Sequence, residues 1–285
     1  MAKDGTSDGE GKAGSEGKAG SEGKAGSEGT RPFTLAIDIG GTGLKASVLD
    51  ASGSMVADRV RKTTKYPMAP DGSGGMVPTL AKMAQSLPEA DRISAGFPGM
   101  VRGGLVLSAP HFVTTAGPGS TIDDHLVEAW DHFDLAHSLS EAIGKPAKVA
   151  NDADVQGLAV VKGKGLERVI TLGTGFGTAV FLDGQLLPHL EIAHQPFRKG
   201  DTYNDQLGER ARKEIGDHHW RRRAMKAFRN LDALLFFDHL YVGGGNATRI
   251  KRSELGDLEK RTILVDNAAG ILGGIRLWEG HHLGL

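Results

Sequence analysis

The chain has 285 residues, 39% of them hydrophobic and 24% charged, with a formal net charge of −1. Such a balance suits a soluble globular protein of one large domain or two lobes, and gives no reason to expect nucleic acid as the main partner. The absence of cysteine excludes disulfides, thiolate zinc sites and a cysteine nucleophile, and agrees with a reducing compartment. No stretch is apolar for long enough to span a membrane, and the N-terminus lacks the apolar core of a secretory signal. The expectation is therefore a cytoplasmic protein with no membrane partner.

Residues 1–30 are low in complexity: from Glu10 the unit Glu-Gly-Lys-Ala-Gly-Ser recurs three times without a bulky apolar residue. This segment cannot bury enough surface to offset its ordering entropy and reads as a disordered tail. Order is expected from Arg31-Pro32. Phe33–Ile39 reads as a buried strand, Leu44–Asp50 as the next, and Met55–Val60 as the third strand of a meander. A helix follows around Val77–Ser86, then a strand over Ile93–Phe97 ending in Pro98-Gly99. Residues 103–135 are rich in Gly, Pro and polar groups and read as a long loop with a short helix near Asp124–Trp130. Leu135–Ile143 is the next predicted helix, stopped by Gly144 and Pro146.

Ala147–Ala150 predicts a strand that delivers Asn151-Asp152-Ala153-Asp154, before a helix over Val155–Lys162. Arg168–Leu172 and Thr178–Leu182 predict strands around Gly173–Gly177, and Asp183-Gly184 signals a hairpin turn. Trp220–Leu235 fits a helix with Phe228, Leu231 and Leu235 on one face and arginines on the other. Leu240–Val242 leads as a strand into Gly243-Gly244-Gly245, and a last helix is expected near Ala268–Glu279. Strands and helices alternate in two similar blocks, which predicts an α/β protein of two lobes. The expected divisions are 31–146, 147–265, and a C-terminal helix in 266–285 that returns to the first lobe.

Three strands thus end in glycine-rich turns, at Gly40-Gly41-Thr42-Gly43, Gly173-Thr174-Gly175 and Gly243-Gly244-Gly245-Asn246. Glycine lets successive backbone N–H groups converge on phosphate oxygens. Each loop taken singly is as consistent with a tight hairpin; three together, one preceded by Asp38, favour phosphate. Thr42 and Thr174 add hydroxyl donors, Lys45 adds positive charge, and Asp38 is placed to hold Mg²⁺ through water. Neither the P-loop pattern nor the Rossmann fingerprint occurs.

Asp38-Ile39-Gly40-Gly41-Thr42 resembles the first phosphate motif of sugar kinases with a two-lobed actin-like, ribonuclease-H-like fold. Asn151-Asp152-Ala153-Asp154, Leu172–Gly175 and Val242–Gly245 narrow the resemblance to the ROK family, and within it to polyphosphate glucokinases and glucomannokinases. The resemblance spans roughly residues 33–276. It implies a hexokinase-type reaction on glucose, with Asp152 as general base and Asn151 contacting sugar hydroxyls. Glu191-Ile192-Ala193-His194 resembles the family's Glu-x-Gly-His motif, with Ala193 in place of glycine, so Glu191 and His194 are expected near the anomeric end. Phe97-Pro98-Gly99 resembles the loop lining the sugar pocket, which makes Pro98 and Gly99 candidate contacts. Gly244, Gly245 and Asn246 resemble a nucleotide-binding loop. No zinc is expected, because the cysteine-rich motif of many relatives is missing, and a homodimer is implied. Gly117–Glu128 looks like extra sequence beside the pocket.

The phosphoryl donor stays open between ATP and polyphosphate. Arg198-Lys199, Arg210, Arg212-Lys213 and Arg221-Arg222-Arg223 with Lys226 and Arg229 could form a basic track for a polyanion, or simply a solvated helix face. Asp154 could bind metal or face solvent. His218-His219 and His281-His282 lack partners at metal-ligand spacing and read as surface features. Rival readings are a kinase for another hexose and a sugar sensor without catalysis.

Overall fold

The structure is a computed structural model that describes residues 29–265 and 273–280. The first half of the chain forms β1 (Thr34–Ile39), β2 (Gly43–Leu49), β3 (Val60–Thr63), α1 (Met76–Ala84), β4 (Arg92–Phe97) and the short strands β5 (Val101–Arg102) and β6 (Leu105–Val106). After these come α2 (Asp124–Trp130), β7 (Phe133–Asp134), α3 (Leu135–Ile143), β8 (Ala147–Asn151) and α4 (Asp152–Leu158). The main sheet has the order β3-β2-β1-β4-β8, with β5, β6 and β7 forming a small separate sheet. The β1–β2 hairpin is antiparallel, whereas β4 and β8 add in parallel. Alternate side chains of β1, such as Leu35, Ile37 and Ile39, join Leu80, Met83, Phe97, Phe112 and Trp130 in one core.

The second half forms β9 (Leu166–Leu172), β10 (Phe176–Leu182), β11 (Gln185–Leu186), β12 (Pro196–Arg198), β13 (Asp201–Thr202), α5 (Tyr203–Leu207), α6 (Glu209–Leu235), β14 (His239–Gly243) and β15 (Thr262–Leu264). Its main sheet, β11-β10-β9-β14-β15, repeats the first: an antiparallel hairpin, β9–β10, extended by the parallel strands β14 and β15. On α6, Trp220, Ala224, Phe228 and Leu231 bury one face against this sheet. Each large side chain so buried contributes about 1.5–3 kcal/mol.

The third strand is not at Met55–Val60 but at Val60–Thr63, where Val60 pairs with Ala46 and Thr63 with Gly43; Met55 makes only an isolated bridge with Leu49. The apolar run over 55–57 drew the expected strand too early, because pairing to β2 sets its position. Helix α4 starts at Asp152, three residues before the expected helix, because the Asn151 side chain caps it by accepting from Ala153 N–H at 2.8 Å. Helix α6 begins at Glu209, ahead of the expected Trp220, and is broken at Gly216, whose φ is 76°. Of the expected last helix, residues 268–272 lie outside the described residues, and 276–278 form a single 3₁₀ turn. Trp278 Nε1–H donates to Ser94 Oγ (2.9 Å) and Lys148 Nζ to the Leu277 carbonyl (2.8 Å), so this segment lies against β4 and β8.

Glycine decides how α4 sits between the two sheets. A Cβ at Gly96 of β4 would lie 3.3 Å from Asp152 Cα. One at Gly177 of β10 would lie 3.1 Å from Ala153 Cβ and 2.3 Å from Thr171 Oγ1. Only bare backbone at both points lets the first turn of α4 enter between β4 and β10, and that turn carries Asp152.

Candidate active site

A cleft of about 530 Å³ runs between the two hairpin loops and the start of α4. One wall is the β1–β2 turn, closed by Gly40 N–H donating to Gly43 O at 3.0 Å. Thr64 Oγ1 and Tyr66 Oη donate to the carbonyls of Gly40 (2.8 Å) and Gly41 (2.6 Å), holding this turn from outside. The facing wall is the equivalent β9–β10 turn, closed by Gly173 N–H to Gly175 O at 3.0 Å. The Gly173 and Thr174 carbonyls accept from Glu209 N–H at 3.0 and 3.2 Å, and Thr42 and Thr174 border the cleft beside the two turns. Lys45 Nζ lies 2.7 Å from Asp38 Oδ2 across the β1–β2 pair.

Asp152 is the first residue of α4 and partly faces the cleft. Its carboxyl is pushed up to about 7, first by desolvation and then by the nearby Asp38, with Asp154 and Glu191 adding to the rise against the Ala153 N–H bond. A carboxyl balanced near neutrality and open to a cleft is suited to accept a proton. Asn151 is 5% exposed; besides capping α4, it donates Nδ2–H to Gly99 O at 2.9 Å. Both ends of its amide are thus engaged, and it ties the Pro98-Gly99 turn to the helix that presents Asp152. One side chain thus both caps α4 and fixes the turn beside the Asp152 carboxyl.

Glu191, Ala193 and His194 border the same cleft. Behind them, His189 Nδ1 stands 3.0 Å from both carboxylate oxygens of Asp154, and its Nε2 stands 3.5 Å from Glu191 Oε2. Asp154 neither faces solvent nor joins a metal cluster; no such cluster occurs among the described residues. Burial works to raise the Glu191 carboxyl, but the hydrogen bond and charge of His189, with His194 and the Ala193 N–H, hold it below the usual range. Burial lowers His111, helped by His194 and opposed by Glu191.

The chain matches the ROK family over residues 34–189, more than half of its length. It belongs to the ROK family. Polyphosphate glucokinase of Mycobacterium tuberculosis is 28% identical over 258 residues, covering 86% of this chain and 90% of that protein. The inorganic polyphosphate/ATP-glucomannokinase of Arthrobacter sp. strain KM superposes with a TM-score of 0.69 at 30% identity, covering 87% of this chain and all of that one. A ROK glucokinase of Streptomyces griseus, solved with glucose and AMPPNP, shares the fold at 18% identity and a TM-score of 0.63, covering 86% of this chain and 98% of its own. The paired sheets are thus those of the actin-like, ribonuclease-H-like sugar-kinase fold.

The ROK cleft gathers nearly every residue that the sequence singled out: Asp38, Gly40, Gly41, Thr42, Lys45, Pro98, Gly99, Asn151, Asp152, Gly173, Thr174, Gly175, Glu191, His194, Gly244 and Gly245 all border it. Asn246 does not. It is buried behind the wall, with Nδ2 donating to Glu209 Oε2 (2.8 Å) and Gly173 O (3.3 Å), so it braces the loops rather than facing a ligand. His111, Gln156, Asn204 and His189 border the cleft without having been anticipated. Gln156 sits one turn beyond Asp152, so helical spacing could have revealed it; His111, Asn204 and His189 come from loops and a short helix, with no local signal. The segment read as extra sequence contributes through its start, since Pro118 and Gly119 border the cleft.

The basic run of this ROK chain is divided. Arg221 is buried and paired with Glu254 at 2.9 Å, and Arg212 is held by Glu209 and Asp217. Arg222, Lys226 and Arg229 form an exposed stripe on α6 at helical spacing, while none of the run borders the cleft.

Proposed function

We propose that this ROK protein transfers a phosphoryl group from polyphosphate, ATP or both to the 6-hydroxyl of glucose, with Asp152 as general base. The observation that carries the reading is the place of Asp152. Its carboxyl, pushed up to about 7, stands at the start of α4 in the cleft that two glycine turns line, with Asp38 and Glu191 close enough to act on its charge. The names of its relatives, a polyphosphate glucokinase and a polyphosphate/ATP-glucomannokinase, support the same chemistry. In the reaction the sugar O6 forms a bond to the transferred phosphorus as the bond to the departing phosphate oxygen breaks, and the O6 proton passes to Asp152. Glu191 and His194 orient the sugar hydroxyls, and Pro98-Gly99, fixed by Asn151, shapes the acceptor end.

Among the described residues no three-ligand cluster of His, Asp or Glu exists. Mg²⁺ needs none, since it keeps waters and binds through one or two carboxylates together with substrate phosphates. Asp38 fits that role, and a bound Mg²⁺ supplies charge neutralisation at the transferred phosphoryl group. In its absence Lys45 balances Asp38. The exposed stripe of Arg222, Lys226 and Arg229 is the part of the basic run suited to extend a polyphosphate site. Gly244 and Gly245 would approach a nucleotide. No described helix is long and apolar enough to cross a membrane; a cytoplasmic homodimer is part of the proposal.

One observation favours a second acceptor. His111, from the long loop expected over residues 103–135, brings an imidazole to the cleft beside Glu191 and His194 that the resemblance does not assign to glucose, so another hexose is the alternative to glucose. The test is to incubate the protein with Mg²⁺, a panel of hexoses, and either ATP or long-chain polyphosphate, and to follow sugar phosphate. Product that depends on Asp152 supports the reading and identifies donor and acceptor. Hexose binding without product from any donor would instead identify a sensor.

A further inference from the structure

His189 has no role in the reaction as written, yet it is among the most buried ionisable groups at the cleft, with a side chain 3% exposed. Both Asp154 oxygens lie 3.0 Å from its Nδ1, which fixes the ring plane and makes Nδ1 the donor. Its Nε2 is buried and makes no hydrogen bond of normal length among the described residues. The one carboxylate in its reach is Glu191, at 3.5 Å, an ion-pair distance slightly long for a hydrogen bond. A buried N–H left without an acceptor is costly, so the geometry directs this donor at Glu191. Glu191 itself stands just before a 3₁₀ turn without a closed side-chain cap bond, and besides the Ala193 N–H of that turn the group acting on its carboxylate most strongly is His189.

We infer that His189 is a positioning residue of the acceptor site: clamped by Asp154, it holds Glu191 in the orientation in which that carboxylate meets the sugar. The inference rests on the proposal that Glu191 binds the acceptor. The charges agree with it. Asp154 and Glu191 face His189, fully buried Arg168 acts on Asp154 from behind, and His194 and His111 lie beside Glu191. Burial alone would lower the His189 imidazolium, but Asp154 and then Glu191 push it up to about 9, so both ring nitrogens carry protons at neutral pH. A protonated His189 between two carboxylates holds Glu191 ionised as well as oriented. Ionised, Glu191 can accept two sugar hydroxyl hydrogens and donate none.

The test is a double-mutant cycle on steady-state constants. His189→Gln is expected to raise the hexose KM about tenfold, the scale of one charge-assisted hydrogen bond, with kcat and the donor KM changed much less. In a Glu191→Gln background the same substitution is expected to leave the hexose KM nearly unchanged, because the group it positions has been replaced. Additive effects, or an equal rise in the donor KM, would overturn the inference. Because His189→Gln leaves Asp154 buried without its cation, Asp154→Asn/His189→Gln, which removes both charges, is run in parallel and is expected to give the same pattern. Histidine ¹⁵N NMR on the unmodified protein gives a readout independent of turnover: His189 with both nitrogens protonated at pH 7.5 supports the clamp, and a neutral ring overturns it. Failure of the wild type to phosphorylate any hexose would sink the kinase reading, whereas turnover with a neutral His189 would sink only the clamp.

Discussion

Replacing Asp152 with Asn separates its two functions, because Asn can still accept at the helix start but cannot take a proton. The rise of its carboxyl from the ordinary 3.8 to about 7 corresponds to roughly 4 kcal/mol of destabilisation of the folded state once the group is ionised. That figure is an upper bound, because one side of the carboxyl meets the cleft. The folded value lies above the unfolded one, so the wild type loses stability as pH climbs from about 4 to about 7 and is level above that. Asp152→Asn is therefore expected to be as stable as wild type at pH 4 and more stable at pH 8, by about 1–3 kcal/mol after allowance for solvent and the helix dipole. Its kcat is expected to fall by about 10²–10⁴, the usual share of a general base. For the wild type, kcat/KM should climb with pH to a plateau above about 7, as the base deprotonates. The assays are sugar-phosphate production and thermal unfolding, each at several pH values. A variant that keeps more than about a tenth of wild-type kcat, or melts lower than wild type at pH 8, would refute the reasoning and reduce Asp152 to part of a cap.

Asp38→Asn removes the like charge facing Asp152, so the Asp152 carboxyl is expected to titrate at lower pH in ¹³C NMR, while Mg²⁺-dependent turnover is lost. An unchanged titration would place the two carboxylates too far apart to interact. Gly244→Ala puts a Cβ 2.4 Å from the Leu172 carbonyl at a φ of +87° and is expected to lose about 2 kcal/mol or more and several degrees in melting temperature. Gly245→Ala, with nothing within 4 Å of its added Cβ, is the control and should melt like wild type. Reversing the exposed stripe with Arg222→Glu, Lys226→Glu and Arg229→Glu is expected to raise the KM for long polyphosphate at least tenfold, on the order of three lost charge contacts, and to leave that for ATP unchanged. Equal polyphosphate KM values for the wild type and this triple variant would leave the stripe as solvated surface.

Local pattern carried much of this protein into view. Helices α2 and α3 lie at the predicted limits, Asp124–Trp130 and Leu135–Ile143, because caps and glycine stops act within a few residues. The strands β1, β9 and β14 were legible for the same reason: short buried runs broken by glycine require no distant partner to be recognised. Where a strand depends on its neighbour, the pattern misled, as at β3, whose position is set by pairing with Gly43–Ala46. Composition likewise did not distinguish Arg221 from Arg222 within one run of arginines. Their fates differ because the helix turns one toward Glu254 and the other toward solvent.

What the sequence determined by itself is the set of parts: three glycine turns, a carboxylate after a strand, and an alternation of strands and helices in two similar blocks. Tertiary structure alone decided which of those parts share a cleft and which brace it from behind. It moved Asn246 into the wall, brought His111 to the cleft, and joined Asp154 to His189 across 35 positions of sequence. Such contacts depend on burial and on the close approach permitted by Gly96 and Gly177, and neither leaves a periodic trace along the chain.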